Sequence, residues 1–191
     1  MLVMERMHMS LDGLLETRNN LPLGLKLQVL LDVTRGLVHL HDNMQPPIVH
    51  RDLTTRNVLL MESLVAKIAD LGNARMIQPG KLSKTLSDCP GTLVYMPPET
   101  GGEKPSYSSS MDIFSFGHLA LYTVTQVFPG NLLPATYTDP VSYRLFPRSE
   151  LDRRQQYLVI LHAKIGKDHA LAVMIEQCLN NAPTLRLVVD G

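Results

Sequence analysis

The chain has 191 residues, enough for one domain with a sizeable core, and its hydrophobic fraction of 45% is too high for a disordered polypeptide. Its 18 Lys and Arg residues balance 18 Asp and Glu residues, which argues against a nucleic-acid binder that works by bulk phosphate neutralisation. Two cysteines, Cys89 and Cys178, stand far apart with no CxxC or zinc spacing, and read as reduced thiols of a cytosolic protein.

In chain order, residues 1–7 read as the end of a strand. Glu5, Arg6 and His8 break up the apolar start, so there is no signal-peptide core. No apolar run elsewhere is long enough to cross a bilayer, which leaves any membrane anchor to other parts of a longer protein. Ser10 is placed to cap a short helix through "LDGLLET". The spacing from Leu25 to His41 predicts a helix with Leu27, Leu30, Leu31, Thr34, Leu37, Val38 and His41 on one face. Pro46 and Pro47 end it. The short apolar runs "IVH", "NVLLM" and "VAKIAD", bounded by polar turns, read as strands. Residues 71–110 carry little periodicity, and a compact domain keeps so long a stretch only where it is functional or mobile. Further helices are expected at 110–127, 149–163 and 168–179. The fold class is therefore α+β and mainly helical, with a small strand cluster around residues 48–70.

The candidate chemistry lies where those strands leave the core. A loop between "IVH" and "NVLL" and a hairpin to "VAKIAD" would bring Asp52, Asn57 and Asp70 to one mouth. Two carboxylates and an amide oxygen make a hard-oxygen site suited to Mg2+, which completes its shell with water and substrate phosphate. His39 and His41 form an HxH pair, but i and i+2 point to different helix faces, which speaks against a metal site. "PGKLS" lacks the glycine spacing of a phosphate-binding loop.

The segments "HRDLTTRN" (50–57), "DLG" (70–72), "GTLVYMPPE" (91–99) and "DIFSFG" (112–117) together resemble, in order, the motifs of eukaryotic protein kinases. The resemblance covers nearly the whole chain, 1–191, and implies the hinge and large lobe of a kinase domain, with the small N-terminal lobe missing and residues 70–99 as the activation segment. It implies ATP and Mg2+ as cofactors, a protein substrate, and a cytoplasmic location. Asp52 would orient the acceptor hydroxyl and take its proton, with Arg56 beside it in the catalytic loop. Asn57 and Asp70 would hold magnesium. Met4 as gatekeeper, with Glu5, Met7 and Leu59, would form the ATP pocket. Arg51 would pair with a phosphate on Ser83, Thr85 or Ser87. Thr92 would contact the catalytic loop on the substrate side. Structural roles fall to His50, to Leu71 as an apolar plug, to Glu99 paired with Arg186, and to Asp112, which would anchor the catalytic-loop backbone and also suits a helix N-terminus.

Some positions depart from the family pattern. Residues 1–191 contain no GxGxxG loop and no strand lysine, so the isolated chain is expected to be inactive. Leu71 replaces Phe, Pro97 replaces Ala, and Leu187 replaces Pro. Arg56 resembles the tyrosine-kinase catalytic loop, with Thr54 where serine/threonine kinases carry Lys. "GTLVY", with Tyr95, resembles the serine/threonine substrate-side loop, and the balance leans to serine/threonine acceptors. The alternative is a pseudokinase-like binding or scaffold module.

Overall fold

The computed structural model describes residues 3–77, 92–100, 108–128, 131 and 151–187. Its helices are α1 (Leu11–Thr17), α2 (Leu23–Val38, continued by a π-helical turn His39–Asn43), α3 (Ser110–Thr125), α4 (Leu151–Ile165) and α5 (Ala170–Cys178). The strands are short: β1 (Met9–Ser10), β2 (Ile48–Val49), β3 (Val58–Leu60), β4 (Ala66–Ile68) and β5 (Arg75–Met76). The architecture is mainly helical α+β with two small antiparallel sheets, ordered β1-β3-β4 and β2-β5.

Helix α3 is the central post. Every side chain from Met111 to Thr125 is buried, and α2, α4 and α5 pack around it. Gly117 makes the closest approach possible: a Cβ there would lie 2.9 Å from both Cys178 and Leu179. Helix α1 begins where Ser10 Oγ accepts a hydrogen bond from Gly13 N at 3.1 Å, the cap its sequence predicts.

Two readings are corrected. Residues 3–8 form no strand, and the first strand is Met9–Ser10, because only there does the backbone align with β3 in a ladder. The buried seam of α2 is Lys26, Val29, Leu30, Val33 and Leu37: of the predicted face Leu30, Leu37 and His41 are buried, whereas Leu27 and Leu31 are 42% and 46% exposed. In that seam Lys26 Nζ donates to the Val124 carbonyl, 2.8 Å away in the last turn of α3. A cation there meets the negative end of a helix dipole. Burial and Lys164 both lower the Lys26 pKa.

The sheet registers position the loops. Val58↔Ile68 pairing sets Asn57 opposite Ala69, and Ala69 N donates to Asn57 O at 2.8 Å. Val49↔Arg75 pairing ties the other flank of the same two loops. Residues 50–57 and 69–74 are thus held together at both ends. Gly36 of α2 lets Ile68 close in, since a Cβ at residue 36 would meet the Ile68 side chain at 2.8 Å.

Candidate active site

The loop 50–57 hangs from α3. Asp112, fully buried, accepts from His50 N (2.8 Å, Oδ2) and Arg51 N (2.9 Å, Oδ1). Its Oδ2 also accepts from His41 Nε2 at 2.8 Å. Three donors converging on one buried carboxylate satisfy the charge that burial would otherwise penalise. Arg51 is left-handed at φ 70, and so is Asp70 at φ 62. Side chains seldom adopt that conformation, and it persists where surrounding contacts enforce it. For Arg51 that contact is Asp112. For Asp70 it is a turn in which Oδ1 accepts from Gly72 N at 3.1 Å.

His50, with no exposed surface, joins the two loops. Its Nε2 lies 2.9 Å from the Ala69 carbonyl and its Nδ1 3.3 Å from Asp52 N. A carbonyl only accepts and a backbone N–H only donates, so the ring carries its proton on Nε2.

Asp52 lies at the centre, half-buried. Its Oδ1 accepts from Thr92 N (3.1 Å) and Thr92 Oγ1 (3.3 Å), and its Oδ2 accepts from Asn57 Nδ2 (3.3 Å) and Asn73 Nδ2 (3.4 Å). Asn57 Nδ2 also donates to the Asp52 carbonyl at 2.8 Å, which commits the amide nitrogen and leaves its oxygen as the end able to meet a cation. Asp70, an exposed carboxylate, follows Ala69, which is bonded to both Asn57 and His50. Arg56 is exposed and donates to Thr92 Oγ1 at 3.2 Å. Thr54 is buried, its hydroxyl receiving Asn57 N, so it does not reach outward from the loop.

The other singled-out residues fall into separate groups. Glu99 and Arg186 form a two-pronged ion pair at 2.5 and 2.8 Å. Arg186 also donates to the carbonyls of Asn180 and Ser110 and stacks over the Phe114 ring at 4.7 Å. Glu5 pairs with Lys67, the register partner of Leu59, and His8 N donates to Leu60 O, so the first residues run along β3. Leu59 is half-buried between fully buried Val58 and Leu60, which puts it on the face of the sheet away from the core. Met7 is half-buried and Met4 is 74% exposed. Leu71 is 51% exposed and opens a 3-10 turn, Leu71–Asn73. Arg51 is buried, and its NH1 donates to Asn73 O at 3.3 Å. Ser83, Thr85 and Ser87 lie outside the described residues.

Sequence reading missed several members of this site. Asn73 lies directly after "DLG", close enough for its position to have been a signal. His41 was dismissed as a ligand for a metal, yet it is bonded to Asp112. Thr55, Asp12 and Tyr95 form a buried chain of contacts between distant segments, for which no local pattern gives notice. Among the described residues, no helix is long and apolar enough to cross a membrane, and no group of three or more His, Cys, Asp or Glu gathers as a metal site. The latter does not bear on Asp52, Asn57 and Asp70, because one of those oxygen donors is an amide.

A family model described as protein kinase domain matches residues 1–190. The chain is 30% identical over 161 residues to calcium/calmodulin-regulated receptor-like kinase 2 of Arabidopsis thaliana, covering 84% of this chain and 35% of that protein. It is 30% identical over 175 residues to phytosulfokine receptor 1 of the same plant, covering 89% of this chain and 17% of the receptor. Over 100 residues it is 39% identical to a putative leucine-rich repeat receptor-like serine/threonine-protein kinase of Arabidopsis thaliana, covering 52% of this chain and 11% of that protein. The chain thus spans about a third or less of the length of these relatives.

Proposed function

Because the chain belongs to the protein kinase family, we propose that residues 1–191 are the hinge and large lobe of a serine/threonine kinase domain whose complete protein moves the ATP γ-phosphate to a protein hydroxyl. Residues 70–99 are its activation segment. The observation that carries this reading is Asp52: a carboxylate held by Asn57, Asn73 and Thr92 at the meeting of two loops, with the Asp70 carboxylate close by in the chain fold.

The donor set fits magnesium, since it offers a free amide oxygen on Asn57 and an exposed carboxylate on Asp70. When bound, ATP with magnesium supplies a charge-neutralised phosphoryl group ready for in-line displacement. The remaining work belongs to the chain. Asp52 aligns the acceptor hydroxyl and takes its proton on a carboxylate oxygen. Asn57 and Asp70 hold the cation. Thr92 and Arg56 border the acceptor side, and Met4, Glu5, Met7 and Leu59 border the adenine side. Arg51 receives a phosphate on Ser83, Thr85 or Ser87, which orders the activation segment.

Two considerations support a serine/threonine acceptor. The loop "GTLVY", with Thr92 bonded to Asp52 at 3.1 Å, resembles the serine/threonine substrate-side loop. Related proteins include one named as a serine/threonine-protein kinase and others named as receptor-like kinases or receptors. The test is a peptide array phosphorylated by the full-length protein. Phosphoserine and phosphothreonine are expected, and phosphotyrosine alone would overturn the assignment. ATP binding with no transfer to any acceptor would favour the scaffold alternative. Purified residues 1–191 are expected to turn over ATP weakly or not at all.

A further inference from the structure

Resting on the phosphotransfer reading, we propose that Thr55 and Asp12 are positioning residues that hold the acceptor-side loop against the catalytic loop through Tyr95. Neither touches the reacting atoms. Their effect passes through a chain of hydrogen bonds that is buried at Tyr95 and Thr55 and half-buried at Asp12.

Thr55 lies between Asp52 and Asn57 and is 1% exposed. Helix α1 grips it twice: Asp12 N donates to Thr55 O at 3.0 Å, and Thr55 Oγ1 donates to Asp12 Oδ1 at 2.5 Å. Tyr95 Oη lies 3.1 Å from Thr55 Oγ1. A hydroxyl has one hydrogen, and that of Thr55 is committed to a carboxylate that can only accept. Thr55 therefore accepts from Tyr95, and the chain runs Tyr95 O–H to Thr55 O–H to Asp12. Burial pushes the Tyr95 phenol up to about 12, so it keeps the proton this direction requires.

The backbone of Tyr95 completes the link. Its N–H donates to the Thr92 carbonyl at 2.9 Å, and its carbonyl accepts from Ser115 Oγ of α3 at 2.8 Å. Thr92 thus meets the catalytic loop along two routes. One is direct, from Thr92 N and Oγ1 to Asp52 Oδ1, in the half-buried mouth. The other is the buried route through Tyr95, Thr55 and Asp12. An acceptor hydroxyl that binds Asp52 competes with the direct route. The buried route is untouched by that exchange, and it keeps Thr92 in place while the acceptor enters. Thr55 and Asp12 thereby control the width of the acceptor site, with no role toward the nucleotide.

The test is steady-state kinetics of the full-length protein with a protein acceptor and with ATP varied separately. Thr55→Val removes the hydroxyl's bonds to both Asp12 and Tyr95, and loss of the one that holds Tyr95 predicts that it raises the acceptor KM by about fivefold to tenfold while the ATP KM stays within about twofold. Thr55→Ser, which keeps the hydroxyl, should restore the wild-type acceptor KM. Tyr95→Phe should reproduce the Thr55→Val effect, and the double variant should be no worse than either single one. Should Thr55→Val fail to fold, Tyr95→Phe and Thr55→Ser carry the comparison. An unchanged acceptor KM, a fall in kcat alone, or absence of rescue by Ser overturns the inference and leaves the phosphotransfer reading intact. Absence of transfer by the wild-type protein overturns both.

Discussion

Asp112 gives the sharpest stability prediction, because one carboxylate suspends the whole catalytic loop. Asp112→Asn preserves size and shape but exchanges one oxygen for an NH2. Oδ2 receives two donors, from His50 N and His41 Nε2, while Oδ1 receives only Arg51 N. The less damaging orientation keeps the remaining oxygen toward His50 and His41, and turns the NH2 toward the Arg51 N–H. One charge-assisted hydrogen bond is lost, worth about 1.5–3 kcal/mol, and a buried N–H is left facing another donor, costing about 1–3 kcal/mol more. The expected loss is therefore about 2.5–6 kcal/mol, a large share of the stability of an ordinary domain. Urea unfolding of residues 1–191 followed by far-UV circular dichroism measures it, with wild type and variant at the same pH. A variant within about 1 kcal/mol of wild type would refute the argument, since it would mean that these donors find other partners.

Three further outcomes follow from the packing. Glu99→Ala leaves Arg186 buried without its carboxylate and should cost about 3–5 kcal/mol by the same unfolding assay; a loss below about 1 kcal/mol would count against a buried pair. His118 is packed against Tyr95, Phe114 and Tyr157, and burial lowers its pKa from 6.5 to about 4. It stays neutral in the fold while the unfolded chain takes up a proton below about 6.5, so stability should fall as pH drops from about 6.5 towards 4, by up to about 3 kcal/mol. His118→Phe should flatten that part of the pH profile of Tm, and an unchanged slope would assign it to other groups. Gly36→Ala would force the Ile68 side chain aside, so the unfolding midpoint should drop by an amount equivalent to about 1–3 kcal/mol; no drop would mean that Ile68 has room to move.

Much of the site was legible because its members lie in short, ordered segments. "HRDLTTRN" and "DLG" each span one loop, and the strands Val58–Leu60 and Ala66–Ile68 between them lie in apolar runs with polar ends, whereas Arg75–Met76, which pairs with Ile48–Val49, gave no such signal. The Ser10 cap was equally local. What the sequence concealed depends on contacts between distant segments. The seam of α2 was only partly legible: Leu30 and Leu37 are in it, but so is Lys26, which leucine content gave no reason to bury and which bonds a carbonyl in the last turn of α3. His41 was weighed as a metal ligand because its real partner, Asp112, lies 71 positions away. Thr55 carries no local signal, because its partners Asp12 and Tyr95 lie 43 and 40 positions away.

The central claim is that Asp52 takes the acceptor proton, and Asp52→Asn in the full-length protein tests it most directly. The amide keeps an oxygen for Thr92 N but cannot act as a base. With ATP binding measured alongside, the account predicts unchanged nucleotide affinity and a fall in transfer to the protein acceptor of about 10²–10⁴-fold. Transfer at close to the wild-type rate would contradict it.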